Sequence, residues 1–154
     1  MHKLLRNLIV VEDSDEDFVA LTRALKHEVG ISIMRYRDGE EMMSFLERLN
    51  REESAIPAES LVVLLDLNLP GTDGRQVLTR IKNSPVLKVI PVVVFSTSNN
   101  PTDISYCYAN GANGYMVKSV NFSKYETDLR LFSAYWEKAM VLPKDERRSA
   151  LGTQ

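Results

Sequence analysis

The stretch "VVLLDLNLPGTDG" (residues 62–74) places a carboxylate, Asp66, directly after four apolar residues that are typical of a buried strand. A charge beside a run of Val and Leu is costly unless a nearby group stabilises it. The following "PGTDG" is typical of a turn, so Asp66 could also be an ordinary turn residue at a strand end. The choice between these interpretations depends on what the rest of the chain brings to the same place.

Composition and charge predict a single globular domain. The 154 residues include 19 basic and 21 acidic side chains, and the net charge of -2 without a basic stripe argues against nucleic-acid binding. The only cysteine, Cys107, cannot form an intramolecular disulfide, which fits a reducing cytoplasm. No apolar run approaches the roughly 20 residues of a membrane helix, and the first residues lack a signal-peptide pattern. We therefore expect a cytoplasmic domain over residues 1–143, with 144–154 as a flexible C-terminal tail.

Short apolar runs alternate five times with longer amphipathic stretches. The runs predict strands at 8–11, 31–36, 61–65, 91–96 and 114–117. The amphipathic stretches predict helices at 14–30, 38–50, 73–83, 101–111 and 121–140. Strands that are apolar throughout are typical of a parallel sheet with helices on both faces, so we predict an open doubly wound α/β domain. In such a domain the ligand crevice lies beyond the carboxyl ends of the strands.

Five polar side chains are expected to meet at this crevice, because each lies at or just after the end of a predicted strand. They are Glu12, Asp13, Asp66, Ser96 and Lys118. Three converging carboxylates repel one another, and a hard divalent cation with oxygen ligands, such as Mg²⁺, removes that problem. Asp66 would thus gain a metal ion and a lysine as partners.

A simpler interpretation exists for the first two acids. Glu12 and Asp13 could be acids near a helix N-terminus, where negative charge is favourable. We assign only that capping and solvating role to the three acids that follow them, Asp15, Glu16 and Asp17.

Four motifs, in this order and spacing, resemble the receiver domain of two-component response regulators. They are "VVEDSDED", "LLDLNLPGTDG", "VVVFSTS" and "YMVKS", and the resemblance covers roughly residues 5–142. It implies a (βα)5 flavodoxin-like fold with a parallel five-stranded sheet of order 2-1-3-4-5.

The resemblance also implies a role for each residue at the crevice. Asp66 is the phosphoacceptor, and Lys118 pairs with the phosphoryl oxygens. The implied ligands of Mg²⁺, for which Mn²⁺ or Ca²⁺ can substitute, are Glu12, Asp13, Asp66 and the backbone carbonyl of Asn68.

Two further residues are implied as the conformational switch. Ser96 supplies the switch hydroxyl; Thr97 or Ser98 could be proposed instead, but the family spacing back from Lys118 favours Ser96. Tyr115 is the implied switch aromatic, which turns inward after phosphorylation. The alternative for Tyr115 is a strand residue that packs on a neighbouring helix.

A narrower similarity lies in "LDLNLPGTDGRQVL", the pair Lys118-Ser119 and "FSAYWEKAMVLP", which are similar to single-domain regulators encoded with bacterial and cyanobacterial phytochromes. It implies a sensor histidine kinase of the bacteriophytochrome type as phosphodonor. It also implies a homodimer through the fourth helix, fifth strand and fifth helix. The candidate interface residues are Tyr106, Leu131 and Tyr135, although an ordinary amphipathic surface is the alternative. Most receivers have a cis-proline where this chain has Ser119, so the sequence leaves that isomer open.

Two other classes of protein compete with a phosphorylated receiver. A degenerate receiver would bind partners without being phosphorylated, and the complete set of acids with Lys118 argues against it. An aspartyl-nucleophile phosphatase needs a second Asp two residues after the nucleophile, where this chain has Asn68. We therefore expect a signalling domain, not an enzyme, with only self-phosphorylation and self-dephosphorylation chemistry.

Overall fold

The computed structural model describes residues 6–26, 31–54 and 56–143, and the expected tail at 144–154 lies outside this part of the chain. The strands are β1 (Arg6–Val11), β2 (Ile31–Tyr36), β3 (Leu61–Leu65), β4 (Val92–Ser96) and β5 (Gly114–Val117). The helices are α1 (Asp15–Leu25), α2 (Gly39–Asn50), α3 (Gly74–Asn83), α4 (Pro101–Ala109) and α5 (Phe122–Ala134). Short 3-10 turns lie at Ala58–Ser60 and Leu87–Val89, and a π-helical turn, Tyr135–Ala139, continues α5.

The five strands form one parallel sheet in the order β2-β1-β3-β4-β5, which confirms the predicted topology. Val11 is paired with Leu65, and Leu65 with Val94, so three neighbouring strands reach the same level at their carboxyl ends. The residues that follow Val11 and Leu65, which are Glu12 and Asp66, therefore emerge side by side. The register of the sheet is what brings the acids together.

Alternate residues of each strand face opposite sides of the sheet, and both sides are covered. On one side, the strands pack mainly against α2 and α3, with buried residues that include Ile9, Val63, Val94, Leu46 and Leu78. On the other side they pack against α1 and α5, with buried residues that include Val10, Leu64, Phe95, Leu21 and Leu129. Burial on both sides explains why β3 and β4 are apolar at nearly every position.

Each helix begins with a side chain that caps its free N–H groups. The caps are Ser14, Asp38, Asp73, Asn100 and Asn121. Each cap sets the residue at which a helix begins after the chain leaves the carboxyl edge of the sheet. None of the helices in the described ranges has the length and apolar character needed to cross a membrane.

The last helix differs from its prediction. The regular α-helix ends at Ala134 and not near Met140, because the following residues form the π-helical turn closed by the N–H of Met140 on the carbonyl of Tyr135. Phe122 is exposed at the first position of the helix and stacks on Tyr125. At such a terminal position the side chain can leave the core without disturbing the helix.

Gly74, the first residue of α3, allows α3 to approach the loop after β3. A Cβ atom there would lie 2.3 Å from the carbonyl oxygen of Asp66 and 2.7 Å from the Cα of Leu67. Both are backbone atoms, so they cannot move aside as a flexible side chain would. The glycine therefore sets the distance between α3 and the loop that carries Asp66.

We predict that Gly74→Ala lowers the free energy of unfolding by about 1–3 kcal/mol, because the added methyl group overpacks the backbone. Urea denaturation at neutral pH measures this. The matched control is Gly114→Ala, whose methyl group would meet Val93 at 3.6 Å, an ordinary contact, and should cost less than about 1 kcal/mol. Equal stabilities for the two variants would contradict the close approach at Gly74.

Candidate functional site

Three carboxylates meet at the carboxyl edge of the sheet. Glu12 and Asp66 are buried, whereas Asp13 is exposed at the mouth of the site. One carboxylate oxygen of each residue lies within 4.8 Å of the others. The N–H of Asp66 donates to the carbonyl of Val11 at 3.1 Å, which extends the pairing of β1 and β3 into the site. The predicted acidic cluster therefore forms, with oxygen ligands of the kind that Mg²⁺ prefers.

Lys118 lies within this cluster and holds it together. Its Nζ atom donates to Glu12 Oε1 at 2.5 Å, to Asp17 Oδ2 at 2.9 Å and to Asp66 Oδ2 at 3.3 Å. Its backbone N–H donates to the carbonyl of Ser96 at 2.7 Å, so the pairing of β5 with β4 directs the lysine towards the site. One ammonium group thus contacts three carboxylates.

The charges in the cluster perturb one another. Burial raises the pKa of Glu12 to about 7, although its hydrogen bond to Lys118 acts in the opposite direction and Asp66 adds to the rise. Burial acts to lower the pKa of Lys118, but the hydrogen bonds to Glu12 and Asp17 and the charge of Asp66 outweigh burial and raise this pKa above its ordinary value. The lysine is therefore charged, and negative charge remains in excess around it. A divalent cation is the partner that such an excess suits.

The predicted switch residues, Ser96 and Tyr115, are both hydrogen-bonded to Ser98. Ser96 is fully buried at the end of β4, and its Oγ atom accepts a hydrogen bond from the N–H of Ser98 at 3.2 Å. The Tyr115 hydroxyl donates to the carbonyl of Ser98 at 2.8 Å. Tyr115 therefore already contacts the loop after β4 in this structure. That hydrogen bond links β5, which carries Tyr115, to Ser98, two residues after Ser96.

The side chain of Ser98 belongs to a second network that the sequence did not reveal. Its hydroxyl donates to Asp103 Oδ2 at 2.6 Å, and Arg75 donates to Asp103 Oδ1 at 2.6 Å. These bonds from Ser98 and Arg75 lower the pKa of Asp103. The network connects α4 and the loop that precedes it to α3, which is distant in sequence.

Asp17 has a larger role than the capping and solvation that the sequence predicts. Its backbone N–H donates to the Ser14 hydroxyl that caps α1, but its carboxylate binds Lys118. Its carbonyl also accepts a hydrogen bond from the buried Tyr125 hydroxyl at 3.2 Å. Nothing in the local sequence distinguishes Asp17 from Asp15 and the other acids of that helical turn, because the contact depends on how α1 is rotated against β5.

The loop around Asp66 and the peptide after Lys118 complete the site. Asn68 is exposed, and its N–H donates to Asp66 Oδ1 at 3.1 Å. The bond between Lys118 and Ser119 is trans, since none of the described peptide bonds is cis. The Ser119 hydroxyl accepts a hydrogen bond from the N–H of Asn121 at 3.1 Å and so leads into the start of α5.

The three candidate interface residues are all exposed, but they do not share one surface. Leu131 and Tyr135 line an apolar groove between β5 and α5. Tyr106 lies instead in a separate depression beside α3. The α4 residue that lines the groove is Tyr108, which is also exposed and which the sequence did not single out as an interface residue.

A doubly wound 2-1-3-4-5 sheet with a lysine among three carboxylates at its carboxyl edge defines a receiver-type signalling domain. Residues 8–130 match the response regulator receiver domain family, and the chain belongs to that family. The matched range includes all four motifs on which the resemblance to receiver domains was based.

Similar proteins include the response regulator Rcp1 and a cyanobacterial phytochrome response regulator, RcpA. The chain is 37% identical over 137 residues to the response regulator Rcp1 of Synechocystis sp., which covers 88% of this chain and 92% of that protein. The crystal structure of the Mn²⁺-bound form of Rcp1 superimposes with a TM-score of 0.81 at 36% identity, over 90% of this chain and 99% of that one. The phosphorylated cyanobacterial phytochrome response regulator RcpA superimposes with a TM-score of 0.82 at 37% identity, with the same coverage.

We predict that Lys118→Met, measured with a chelator present, lowers the free energy of unfolding by about 3 kcal/mol near pH 8, because it leaves buried carboxylates without their cation. The loss should be smaller near pH 5.5. Without the lysine, the pKa of Glu12 in the folded protein rises further above its unfolded value, so stability falls as the pH increases through that range.

Urea denaturation at the two pH values measures this effect. Lys124→Met is the matched control, because Lys124 forms a surface ion pair with Asp128 and its removal should cost less than about 1 kcal/mol at either pH. A pH-independent loss for Lys118→Met would contradict the charge balance described for the cluster.

Proposed function

We propose that the domain is a phosphorylation switch in which Asp66 accepts a phosphoryl group. The observation that carries this proposal is the position of Lys118, whose ammonium lies 3.3 Å from Asp66 Oδ2 within a cluster of three carboxylates. A lysine placed there can pair with phosphoryl oxygens that arrive at Asp66. Membership of the receiver family and the similarity to phosphorylated RcpA support the same proposal.

The acidic cluster fits a divalent metal ion, and we propose Mg²⁺, with Mn²⁺ or Ca²⁺ able to substitute. Glu12, Asp13, Asp66 and the backbone carbonyl of Asn68 would hold it, since all four offer the oxygen ligands that such an ion requires. The related Rcp1 is known in a Mn²⁺-bound form. When bound, the ion offsets negative charge on the transferring phosphoryl group.

In the proposed transfer, a carboxylate oxygen of Asp66 attacks the phosphorus of a phosphohistidine. The phosphorus–nitrogen bond breaks as the phosphorus–oxygen bond forms, which leaves an acyl phosphate on Asp66 and returns the electron pair to the histidine nitrogen. Lys118 stays protonated and stabilises charge on the phosphoryl oxygens. The domain is thus a substrate of a kinase and not an enzyme with its own turnover.

The proposed conformational response begins at Ser96. If its hydroxyl turns to the new phosphate, the N–H of Ser98 loses its present acceptor and the loop after β4 must adjust. The Tyr115 hydroxyl donates to the carbonyl of Ser98, so a movement of this loop would be transmitted to β5 through that hydrogen bond. The surface formed by α4, β5 and α5 would change as a result.

The proposed phosphodonor is a cytoplasmic sensor histidine kinase of the bacteriophytochrome type. The support is the similarity over nearly the whole chain to Rcp1 and to the phytochrome response regulator RcpA. A reducing cytoplasm also suits Cys107, which is buried as a free thiol.

We predict that a small-molecule phosphodonor, acetyl phosphate, adds one phosphoryl group to the protein in the presence of Mg²⁺ and none when the metal is chelated. Asp66→Ala should remove the modification, because it removes the nucleophile. Intact-protein mass spectrometry measures the added group. Asp128→Asn, which changes a carboxylate on α5 outside the cluster, should be modified like the wild type.

The same experiment separates the competing functions. No modification of the wild type by acetyl phosphate or by a phosphorylated phytochrome kinase would favour a degenerate receiver that binds partners without phosphorylation. Repeated turnover of phosphate esters would instead favour the phosphatase alternative, against which Asn68 argues. Modification that survives Asp66→Ala would reject Asp66 as the acceptor.

We further propose that the domain forms a homodimer through the surface of α4, β5 and α5. Support comes from the apolar groove beside β5, where the exposed side chains of Leu131 and Tyr135 lie next to Tyr108 of α4. Large aromatic residues of this kind are enriched at interfaces. Tyr106 would take part only if the interface extends across α4 to its other side.

We predict that Tyr135→Asp weakens self-association at least about tenfold, because it places a charge in the apolar groove. Sedimentation velocity over a range of concentrations measures this, with and without acetyl phosphate. Val19→Asp is the control, since Val19 is equally exposed on α1 but lies outside the groove. A Tyr135→Asp variant that associates like the wild type would rule out this surface.

A further inference from the structure

We infer that Arg35, a residue of β2, positions Asp13 for metal binding although it is not a metal ligand itself. This inference rests on the proposed function, because it concerns the same metal site. Arg35 is mostly buried, with a side chain that is 14% exposed, and its guanidinium stacks 4.6 Å from the centre of the Phe18 ring. A buried, stacked guanidinium has a fixed orientation.

That orientation directs two donors at the segment that contains Asp13. The Nε atom of Arg35 donates to the carbonyl of Glu12 at 3.0 Å, and Nη1 donates to Asp15 Oδ1 at 2.8 Å. The carbonyl of Glu12 belongs to the peptide group that joins Glu12 to Asp13. One guanidinium therefore holds the chain immediately before Asp13 and again two residues after it.

A second bond from β2 completes the attachment. The N–H of Glu12 donates to the carbonyl of Tyr36 at 3.0 Å, so both backbone polar groups of Glu12 are bound to β2. Within the described part of the chain, the carboxylate of Asp13 has no hydrogen bond of its own, and it is exposed. The direction in which Asp13 points thus depends on its backbone. Arg35 binds that backbone before Asp13, and the Glu12 carboxylate, which accepts a hydrogen bond from the N–H of Ser14 at 3.2 Å, binds it after Asp13.

Charge and position predict effects of opposite sign, which makes the inference testable. Arg35 carries a positive charge near the cation site, so by Coulomb's law alone its removal should strengthen metal binding. If Arg35 acts by holding Asp13 in place, its removal should weaken metal binding. Residues that orient metal ligands typically change affinity by about 10–100-fold when they are replaced.

We predict that Arg35→Met weakens Mn²⁺ binding about tenfold, as measured by titration of the full chain with free Mn²⁺ followed by electron paramagnetic resonance. Arg37→Met is the matched control. Arg37 also binds Asp15 Oδ1 at 2.8 Å, but it is exposed and has no hydrogen bond to Glu12 among the described residues, so affinity should change less than about twofold. Arg35→Lys, which keeps the charge but lacks the planar fork, should weaken binding at least about threefold.

Urea denaturation without metal, measured on each variant, separates positioning from general stability. A purely structural role would lower the unfolding midpoint and leave the Mn²⁺ affinity of the folded protein unchanged, which would overturn the inference, as would tighter binding by Arg35→Met. If Arg35→Met does not fold, Arg35→Lys decides, and wild-type affinity in that variant overturns the inference. If the wild type and Arg35→Met bind Mn²⁺ equally well, only the role of Arg35 is refuted. A wild type that binds no Mn²⁺ refutes the proposed metal site together with it.

Discussion

The site depends on the ion pairs that Lys118 forms with carboxylates from three other segments of the chain. Burying Glu12 and Asp66 side by side is unfavourable, and the ammonium between them offsets part of that cost. The sheet register places the acids together, and the pairing of β5 with β4 brings the lysine to them. Because one cation does not balance three carboxylates, the site retains the excess negative charge to which a divalent ion can bind. The same excess keeps the lysine protonated, as the proposed phosphoryl transfer requires.

Much of this arrangement could be predicted from the sequence, for a physical reason. Parallel strands with apolar residues on both faces leave recognisable runs, and the residue after each run must lie at the carboxyl edge of the sheet. Glu12, Asp66, Ser96 and Lys118 are all placed in this way. The helix starts were equally accessible, because Ser14 and the other N-caps act on residues only two or three positions away.

The parts that the sequence did not reveal depend on the rotation of helices and on contacts between distant segments. Asp17 contacts Lys118 because of the angle at which α1 lies, and no local pattern separates it from its acidic neighbours. Arg35 reaches Glu12 across two paired strands, which a strand pattern does not express. On α4, Tyr108 and not Tyr106 lines the groove. To predict which of the two does so, one must know how the helix is rotated about its axis. The end of α5 was similarly misjudged, because the change to a π-helical turn at Tyr135 leaves no mark in residue spacing.

The double role of Asp17 has a consequence for how the domain communicates. This residue belongs to the first turn of α1, its carboxylate grips Lys118, and its carbonyl receives the hydroxyl of Tyr125 from α5. If Lys118 turned to an arriving phosphoryl group, the Asp17 carboxylate would lose that ion pair, and the change would act on the same turn of α1 that accepts the hydrogen bond from Tyr125. The surface formed by α1 and α5 would then respond to phosphorylation directly, even if the loop after β4 did not move.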